Sequence, residues 1–211
     1  MKLRLSRRSP ETVLMSIDTQ ISAYFARHAQ VFASTVPELT PQIRRCAQLL
    51  ANSLADGRKI LIAGNGGSAA DAQHFAAELV GRFLLERRGL PAIALTTDSS
   101  ILTAVANDYG FEQIFSRQVE ALANPGDVVI GISTSGNSAN ILAGLAAAKQ
   151  CGCTTIGLLG RDGGAIAARV DLPLIVTCAE TPHIQEMHVT IIHLLCKLIE
   201  EQLFDQPGAT S

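Results

Sequence analysis

Hydroxyl side chains crowd one short segment of the 211-residue sequence, residues 133–138, which reads Ser-Thr-Ser-Gly-Asn-Ser. The segment follows an apolar run and precedes a helical pattern that begins near Ala139. Hydroxyls and free backbone N–H groups at a helix N-terminus can hold a phosphate group without Lys or Arg. Helix capping is the alternative, because Ser and Asn are common at helix starts. A cap needs only one such residue, so we interpret the whole loop as a phosphate site.

A second loop, residues 64–68, reads Gly-Asn-Gly-Gly-Ser and also lies between an apolar run and a helical pattern. Glycines allow positive φ and let the backbone approach a ligand closely, and the helix that follows offers N–H groups to an anion. The spacing matches neither the dinucleotide-binding fingerprint nor the Walker loop. The loop therefore indicates either a second part of a ligand site or a tight structural turn.

Side chains that can ligate a metal occur in two helical segments. His74 and Glu78 are four residues apart, so they share a helix face and form a plausible half-site for a divalent metal. A surface contact between them is the alternative. Gln185 and His193 lie in a mostly apolar helix predicted over about 183–204. About 80° and ~12 Å separate them on that helix, so one metal could bind both only at full extension or with ligands from different subunits.

Short aliphatic runs that alternate with helical patterns must position these residues. Continuous apolar strands are typical of a sheet covered on both faces, which implies parallel pairing. Their alternation with helices predicts a doubly wound five-stranded α/β sheet, and ligands in such sheets bind at the carboxyl edge. Both loops fall at that edge. The predicted strands cover residues 59–63, 92–96, 128–132, 155–159 and 172–176, with helices over 69–85 and 139–150.

The N-terminal part of the chain, about residues 10–56, has apolar positions at helical spacing. It is predicted to form helices that break at Pro37 and Pro41, and the sheet core follows over about 57–204. No internal repeat or composition shift divides the chain, so we expect one domain over residues 1–211.

Composition excludes several classes of protein. With 47% hydrophobic and 17% charged residues, the chain is not intrinsically disordered. A net charge of −2 does not favour nucleic-acid binding, and no apolar run approaches the ~18 residues of a membrane span. Five cysteines without a CxxC pair are typical of a reducing compartment, so we expect a cytoplasmic protein without nucleic-acid or membrane partners. We interpret the basic cluster Lys2, Arg4, Arg7 and Arg8 as a solvated terminus.

Several spaced motifs together resemble the sugar isomerase (SIS) domain family and, within it, the phosphoheptose isomerases. The similarity runs from about Leu39 to Phe204, and the order of the motifs makes it more specific than any one of them. The motifs are residues 64–68, 74–78 (His-Phe-Ala-Ala-Glu), 107–111 (Asn-Asp-Tyr-Gly-Phe), 133–138, 161–164 (Arg-Asp-Gly-Gly), 184–186 (Ile-Gln-Glu) and His193.

The resemblance implies conversion of D-sedoheptulose 7-phosphate into D-glycero-D-manno-heptose 7-phosphate, the first step toward lipopolysaccharide heptose. It also implies a flavodoxin-like SIS fold, a homotetramer with active sites at subunit interfaces, and one Zn²⁺ per subunit. Glu78 and His193 match the catalytic acid/base pair. The implied metal ligands are His74, Glu78, Gln185 and His193. The implied substrate-binding residues are Asn65, Gly66, Gly67, Ser68, Asp108, Ser133, Thr134, Ser135, Ser138 and Gln185.

The implied reaction moves a proton between C1 and C2 through an enediol, so it needs a base over carbon and an acid at oxygen. We assign Glu78 as the base and His193 as the acid, although a carboxylate that binds zinc tightly is not a free base. The sequence departs from the family at His183, where members often have Arg. That departure removes a guanidinium fork and one contact that depends on it.

Two other functions fit the same fold. One is a non-enzymatic SIS scaffold that binds the bacterial replication initiator, but that relative lacks the carboxylate at the position of Glu78 and interrupts the hydroxyl loop. The other is a regulator that senses sugar phosphates, which usually carries a helix-turn-helix. The first 40 residues are too few for that motif, and the residues present favour the enzyme.

Overall fold

Five strands form the centre of the computed structural model, which describes residues 15–204. They are β1 (Ile60–Gly64), β2 (Ala92–Ala94), β3 (Val128–Ser133), β4 (Thr154–Gly160) and β5 (Leu172–Val176). Their order is β2-β1-β3-β4-β5, and every neighbouring pair is parallel. The predicted doubly wound sheet is confirmed, and each strand begins and ends within two residues of its expected position.

Helices cover both faces of this sheet. They are α1 (Ile17–Ala55), α2 (Gly67–Val80), α3 (Ser99–Tyr109), α4 (Ser116–Leu122), α5 (Ala139–Gln150), α6 (Gly164–Ala167) and α7 (Thr181–Phe204), with a 3-10 turn at Phe111–Gln113. Successive residues of a strand point to opposite faces, so Ile60 and Ile62 pack with α1, α2 and α7. Leu61 between them packs on the other face with α4 and α5.

The order of the strands reverses direction next to β1. β2 lies on one side of β1 and β3 lies on the other, with Gly64 of β1 opposite Ile132 of β3. The loops that leave these two strands are residues 64–68 and 133–138, the two candidate ligand loops. A crevice at such a reversal is where doubly wound sheets bind ligands, so the topology brings both loops to the expected place.

A single helix of 39 residues, α1, takes the place of the predicted helices, so the break expected at Pro37 and Pro41 is wrong. Proline in a helix interior removes a backbone hydrogen bond and costs about 3 kcal/mol or more. Here the buried face of α1 runs from Val31 to Leu54, on both sides of the prolines, and packs against α7 and β5. This burial holds the two halves in line and offsets the lost hydrogen bonds.

The helix α2 ends at Val80 rather than near residue 85, because Glu200 of α7 takes the backbone donors that follow. Its carboxylate accepts hydrogen bonds at 2.8–2.9 Å from the N–H groups of Phe83, Leu84 and Leu85 and from Arg87 Nε. Arg87 also donates to the carbonyls of Glu78, Leu79, Gly81 and Arg88. We call this network, in which both charged side chains are 1% exposed, the Arg87–Glu200 clamp.

Some predictions concern residues outside the part of the chain that the structure describes. Across residues 15–204, no helix combines the length and apolar character needed to cross a membrane. The basic cluster Lys2, Arg4, Arg7 and Arg8 and the start of the predicted helical segment at residues 10–14 lie outside the described residues. The single domain over residues 1–211 therefore stays a prediction.

Candidate functional site

The hydroxyl loop, residues 133–138, leaves β3 and reaches the first turn of α5. Ser133 Oγ lies 2.9 Å from Ser138 Oγ and 3.4 Å from Ser135 Oγ, so three hydroxyls gather in one place. Ser138 is the N-cap residue of α5, but its side chain makes no capping hydrogen bond. Helix capping therefore does not account for this serine, and its hydroxyl joins the cluster at the helix N-terminus.

Gly136 makes the turn of the hydroxyl loop. Its φ is +66°, in the left-handed region, and a Cβ at this position would overlap the carbonyl of Gly163. Two hydrogen bonds join the same two loops: Ala165 N donates to Asn137 Oδ1 at 2.9 Å, and Ile166 N donates to the Gly136 carbonyl at 3.0 Å. Residues 163–166 thus fix the shape of the hydroxyl loop.

The glycine-rich loop, residues 64–68, leaves β1 beside the hydroxyl loop. Asn65 and Asn140 exchange two side-chain hydrogen bonds of 2.9 and 2.8 Å, which join this loop to the first turn of α5. Gly66, the N-cap residue of α2, has φ +55°, and no side chain caps that helix. Asn65 was predicted from the sequence, but Asn140 was not, because its only sequence signal is its place just after the hydroxyl loop.

His74, Glu78 and His193 come together where α2 packs against α7. His74 Nε2 lies 3.0 Å from Glu78 Oε1 and 3.3 Å from His193 Nε2. The two imidazole rings meet edge to face, and Phe83 stacks on the His193 ring with centroids 5.6 Å apart. The Glu78 side chain is 24% exposed, so a small ligand can reach it. The structure thus unites both predicted catalytic residues with one further predicted metal ligand.

Gln185 and Asp108 contact residues other than this group. A Cβ on Gly67 would overlap the Gln185 amide, so Gln185 packs against the first residue of α2. Gly67 precedes His74 by seven residues, about 10 Å along the helix. Asp108 is exposed near the end of α3, where it accepts a hydrogen bond of 2.9 Å from Asn107. Within one chain, the predicted residues are therefore divided among the two loops, the end of α3 and the α2–α7 groove, which is lined by His74, Glu78 and His193.

Asp71 is a carboxyl group on α2 that was not predicted from the sequence. Burial raises its pKa, and the nearby His74 lowers it by a smaller amount. Among the described residues, its Oδ2 atom has no hydrogen-bond partner. Because Asp71 lies one turn before His74, this carboxyl group adds a second acid to the same stretch of α2. Burial and a neighbouring charge reveal it, and neither can be read from the sequence.

His74 lies at ligand-like distances from both of its neighbours in this group. The separations of 3.0 Å to Glu78 Oε1 and 3.3 Å to His193 Nε2 are close to the ~3.3 Å between ligands around tetrahedral zinc with bonds of about 2.05 Å. The ligand atoms of all three residues do not lie within 4.8 Å of one another, so a shared ion would require Glu78 and His193 to move closer together. Imidazole and carboxylate are also donors that zinc prefers. Among the described residues, the group of potential ligands whose atoms all lie within 4.8 Å of one another consists of His28, His183 and Glu186.

Comparison with known proteins assigns the chain and its fold to one family. The SIS domain family matches residues 23–160. A phosphoheptose isomerase from Geotalea daltonii is 62% identical over 89% of this chain and 97% of its own length. Another from Geobacter sulfurreducens is 64% identical over 87% of this chain and 97% of its own. The chain belongs to the phosphoheptose isomerase family.

A solved structure agrees with this assignment. A phosphoheptose isomerase from Neisseria gonorrhoeae is 45% identical and covers 88% of this chain and 100% of its own, with a TM-score of 0.84. The predicted family, its SIS fold and the isomerase class of enzyme are therefore confirmed. These relatives of the phosphoheptose isomerase family favour the enzyme over the scaffold and the regulator.

Proposed function

We propose that the chain converts D-sedoheptulose 7-phosphate into D-glycero-D-manno-heptose 7-phosphate. The observation that carries this proposal is the grouping of Glu78 and His193 around His74, although His193 follows His74 by 119 residues in the chain. A carboxylate and an imidazole on one surface are the pair that proton transfer between neighbouring carbons requires. Membership of the phosphoheptose isomerase family supports the class of substrate.

The hydroxyl loop is the proposed phosphate site. Its hydroxyls come from Ser133, Thr134, Ser135 and Ser138, and the N-terminus of α5 adds the positive end of the helix dipole. Fixing the phosphate would hold C1 and C2 of the sugar at the acid and the base, which is how positioning lowers the barrier. Further contacts to the sugar are proposed for Asn65, Gly66, Gly67, Ser68, Asp108 and Gln185.

Glu78 and His193 are the proposed proton carriers. Glu78 removes a proton from C1 of the ketose, the electron pair of that bond forms the C1–C2 double bond, and the C2 oxygen takes a proton from His193. The enediol then returns to a carbonyl: Glu78 gives its proton to C2, and His193 takes the proton of the C1 oxygen. Both residues end in their starting protonation states, and the product is the aldose.

One Zn²⁺ per subunit is also proposed. His74, Glu78 and His193 would hold it, with Gln185 as a fourth ligand. Because Gln185 packs against Gly67 in its own chain, it would reach the metal of a neighbouring subunit. When bound, the metal polarises the sugar carbonyl as a Lewis acid. Glu78 has two carboxylate oxygens, so one can face His74 while the other faces the substrate carbon.

A homotetramer with active sites at subunit interfaces is proposed from the surface of α1. Its N-terminal half carries a stripe of large apolar side chains, each 41–74% exposed: Ile17, Ile21, Tyr24, Phe25, Phe32 and Val36. An apolar stripe of this extent indicates burial against another chain. Association through α1 would also supply the neighbouring subunit that the Gln185 proposal needs.

A cytoplasmic location is proposed from the cysteines. All five, among them Cys46 and Cys196, are free thiols. Burial raises the pKa of both these thiols to about 12, so they stay protonated and unreactive. Unpaired buried thiols are typical of a reducing compartment.

The experiment that tests the proposal is an isomerase assay on D-sedoheptulose 7-phosphate with added Zn²⁺. We expect turnover by the unaltered chain and a decrease in kcat of about 10²- to 10⁴-fold in Glu78→Gln, since that change removes the proton acceptor. Glu86→Gln is the matched control, because Glu86 is 91% exposed and its ion pair among the described residues is with Arg82, on the surface. Failure of the unaltered chain to turn over this sugar would show that the proposed reaction is wrong.

A further inference from the structure

Three potential metal ligands meet where the N-terminal half of α1 contacts the first turn of α7. Glu186 Oε2 lies 2.7 Å from His28 Nδ1 and 2.8 Å from His183 Nδ1. All three ligand atoms lie within 4.8 Å of one another. We call His28, His183 and Glu186 the α1–α7 triad. One carboxylate oxygen therefore lies between two imidazole nitrogens that come from different helices.

The surroundings of the triad fix its side chains while leaving a path from solvent. Tyr24 donates a hydrogen bond of 2.5 Å to the other oxygen of Glu186, which orients the carboxylate. The His183 side chain is 6% exposed, whereas those of His28 and Glu186 are 33% and 32% exposed. The Tyr24 ring also lies over the His183 ring, with centroids 4.6 Å apart. An ion could enter from the side of His28.

The triad needs only a small expansion to hold a metal. Ligands around a tetrahedral zinc ion lie about 3.3 Å apart, roughly 0.5 Å more than the present distances from Glu186 Oε2. Without a metal, both Nδ1 atoms must carry a proton to donate to that oxygen. Metal binding would move each proton to Nε2 and replace two hydrogen bonds with three coordination bonds. The donor set, two imidazoles and one carboxylate, is one that zinc commonly takes with water as a fourth ligand.

The triad is separate from the group in the α2–α7 groove. His183 and Glu186 are three residues apart, so they share one face of α7, and that face contacts α1. Gln185 is rotated by about 100° from Glu186 and contacts α2 at Gly67. His193 lies seven residues after Glu186, about 10 Å further along α7, where it contacts His74. The two sets of ligands therefore share no residue and can be tested independently.

We propose that the α1–α7 triad binds a divalent transition-metal ion of the Zn²⁺ class and joins the N-terminal half of α1 to α7. The site is structural: it holds a helix whose first buried residue is Val31, three residues after His28. This inference does not rest on the proposed reaction, since it involves none of the residues assigned to proton transfer.

The test measures zinc alone on the full chain. Chelator-treated protein is dialysed against ZnCl₂, and bound metal is counted in a His74→Ala/His193→Ala background, which disables the groove. We expect one zinc ion per chain to remain there and to be lost when His28→Ala is added. Tyr24→Phe, which removes only the orienting hydrogen bond, should weaken binding by about 10-fold. Gln30→Ala is the control, because Gln30 is exposed on the same helix and its side chain accepts a hydrogen bond from Arg27, outside the triad.

A second measurement covers the case in which the background variant does not fold. In the otherwise unaltered chain, His28→Ala should lower bound zinc by one ion per chain. It should also reduce the rise in Tm that added zinc produces. Isomerase turnover should be retained. Zinc content that is the same with and without His28, or that falls equally in Gln30→Ala, would overturn the proposal.

Discussion

Two polar regions of the molecule differ in how far their polar groups are satisfied by hydrogen bonds within the chain. In the Arg87–Glu200 clamp, both side chains are 1% exposed and the carboxylate has four donors within the chain. In the hydroxyl loop, the hydroxyls of Ser133, Ser135 and Ser138 face one another, and Ser138 leaves α5 uncapped. The clamp satisfies its polar groups internally, and such groups stabilise a fold. The loop leaves donors at a helix N-terminus, and such groups bind an anion.

Breaking the clamp should have the largest effect on stability. Glu200→Gln would leave the buried Arg87 guanidinium without a counter-charge, and removal of one partner of a buried pair costs about 3–5 kcal/mol. The free energy of unfolding, measured in urea, should fall by that amount. Glu120→Gln is the control, because Glu120 forms an exposed pair with Arg117. A loss below about 1 kcal/mol in Glu200→Gln would contradict a stabilising role for the clamp.

The dependence of stability on acid pH independently tests the role of the Glu200 carboxylate. Burial raises the pKa of Glu200, but hydrogen bonds from the Leu84, Phe83 and Leu85 N–H groups and the charge of Arg87 outweigh it and hold the pKa below its usual value. The contribution of Glu200 to the free energy of unfolding is therefore complete above the pKa of an unfolded glutamate. It is lost as the pH falls through the lower pKa that Glu200 has in the folded chain. Glu200→Gln should accordingly unfold with a weaker dependence on acid pH than the unaltered chain.

A change at the turn of the hydroxyl loop should have an intermediate effect. Gly136→Ala places a Cβ at φ +66° and against the Gly163 carbonyl, so we expect a loss of about 1–3 kcal/mol in unfolding free energy and a higher KM. Gly57→Ala is the matched control, because Gly57 has φ +72° with nothing within 4 Å of an added Cβ. Equal losses in the two variants, with KM unchanged, would mean that the contact between the loops does not shape the phosphate site.

Removal of one hydroxyl should have the smallest effect and should act on binding alone. Ser135→Ala is expected to raise KM by about 2- to 13-fold, as the loss of one hydrogen bond predicts. Unfolding free energy should stay within about 0.5 kcal/mol of its original value. Ser34→Ala removes a hydroxyl bonded to the Val31 carbonyl on α1, far along the chain from the loop, and serves as the control for KM. An unchanged KM in Ser135→Ala would exclude this serine from the phosphate site.

Local patterns predicted the parts of the fold that local forces decide. The aliphatic runs fixed the five strands to within two residues, since a parallel sheet buries both faces of every strand. The predicted helix break at Pro37 was wrong, because packing on both sides of the proline outweighs the free-energy cost of a proline inside a helix. The end of α2 was missed because Glu200, more than a hundred residues away, takes the donors that would have continued it.

The site was predictable to a different extent in its two parts. The hydroxyl loop could be located because its residues are contiguous and follow a strand. The meeting of His74 and His193 depends on how α2 and α7 pack, and spacing along one helix left it open. Asp71 and the pairing of Asn140 with Asn65 depend on burial and on contacts between elements, so no pattern within either segment could reveal them.

The long first helix has a consequence for how the protein responds to dilution. Residues 17–30 span about 20 Å of α1 before its first buried side chain, Val31. Tyr24 and His28 in this stretch contact Glu186 of α7, and Arg27 contacts Glu180, which precedes α7. If partner chains cover the remaining surface, amide hydrogens in this stretch should exchange faster with deuterium as the protein concentration falls. Amides of β3, buried at the centre of the sheet, should exchange at a rate that does not change with concentration.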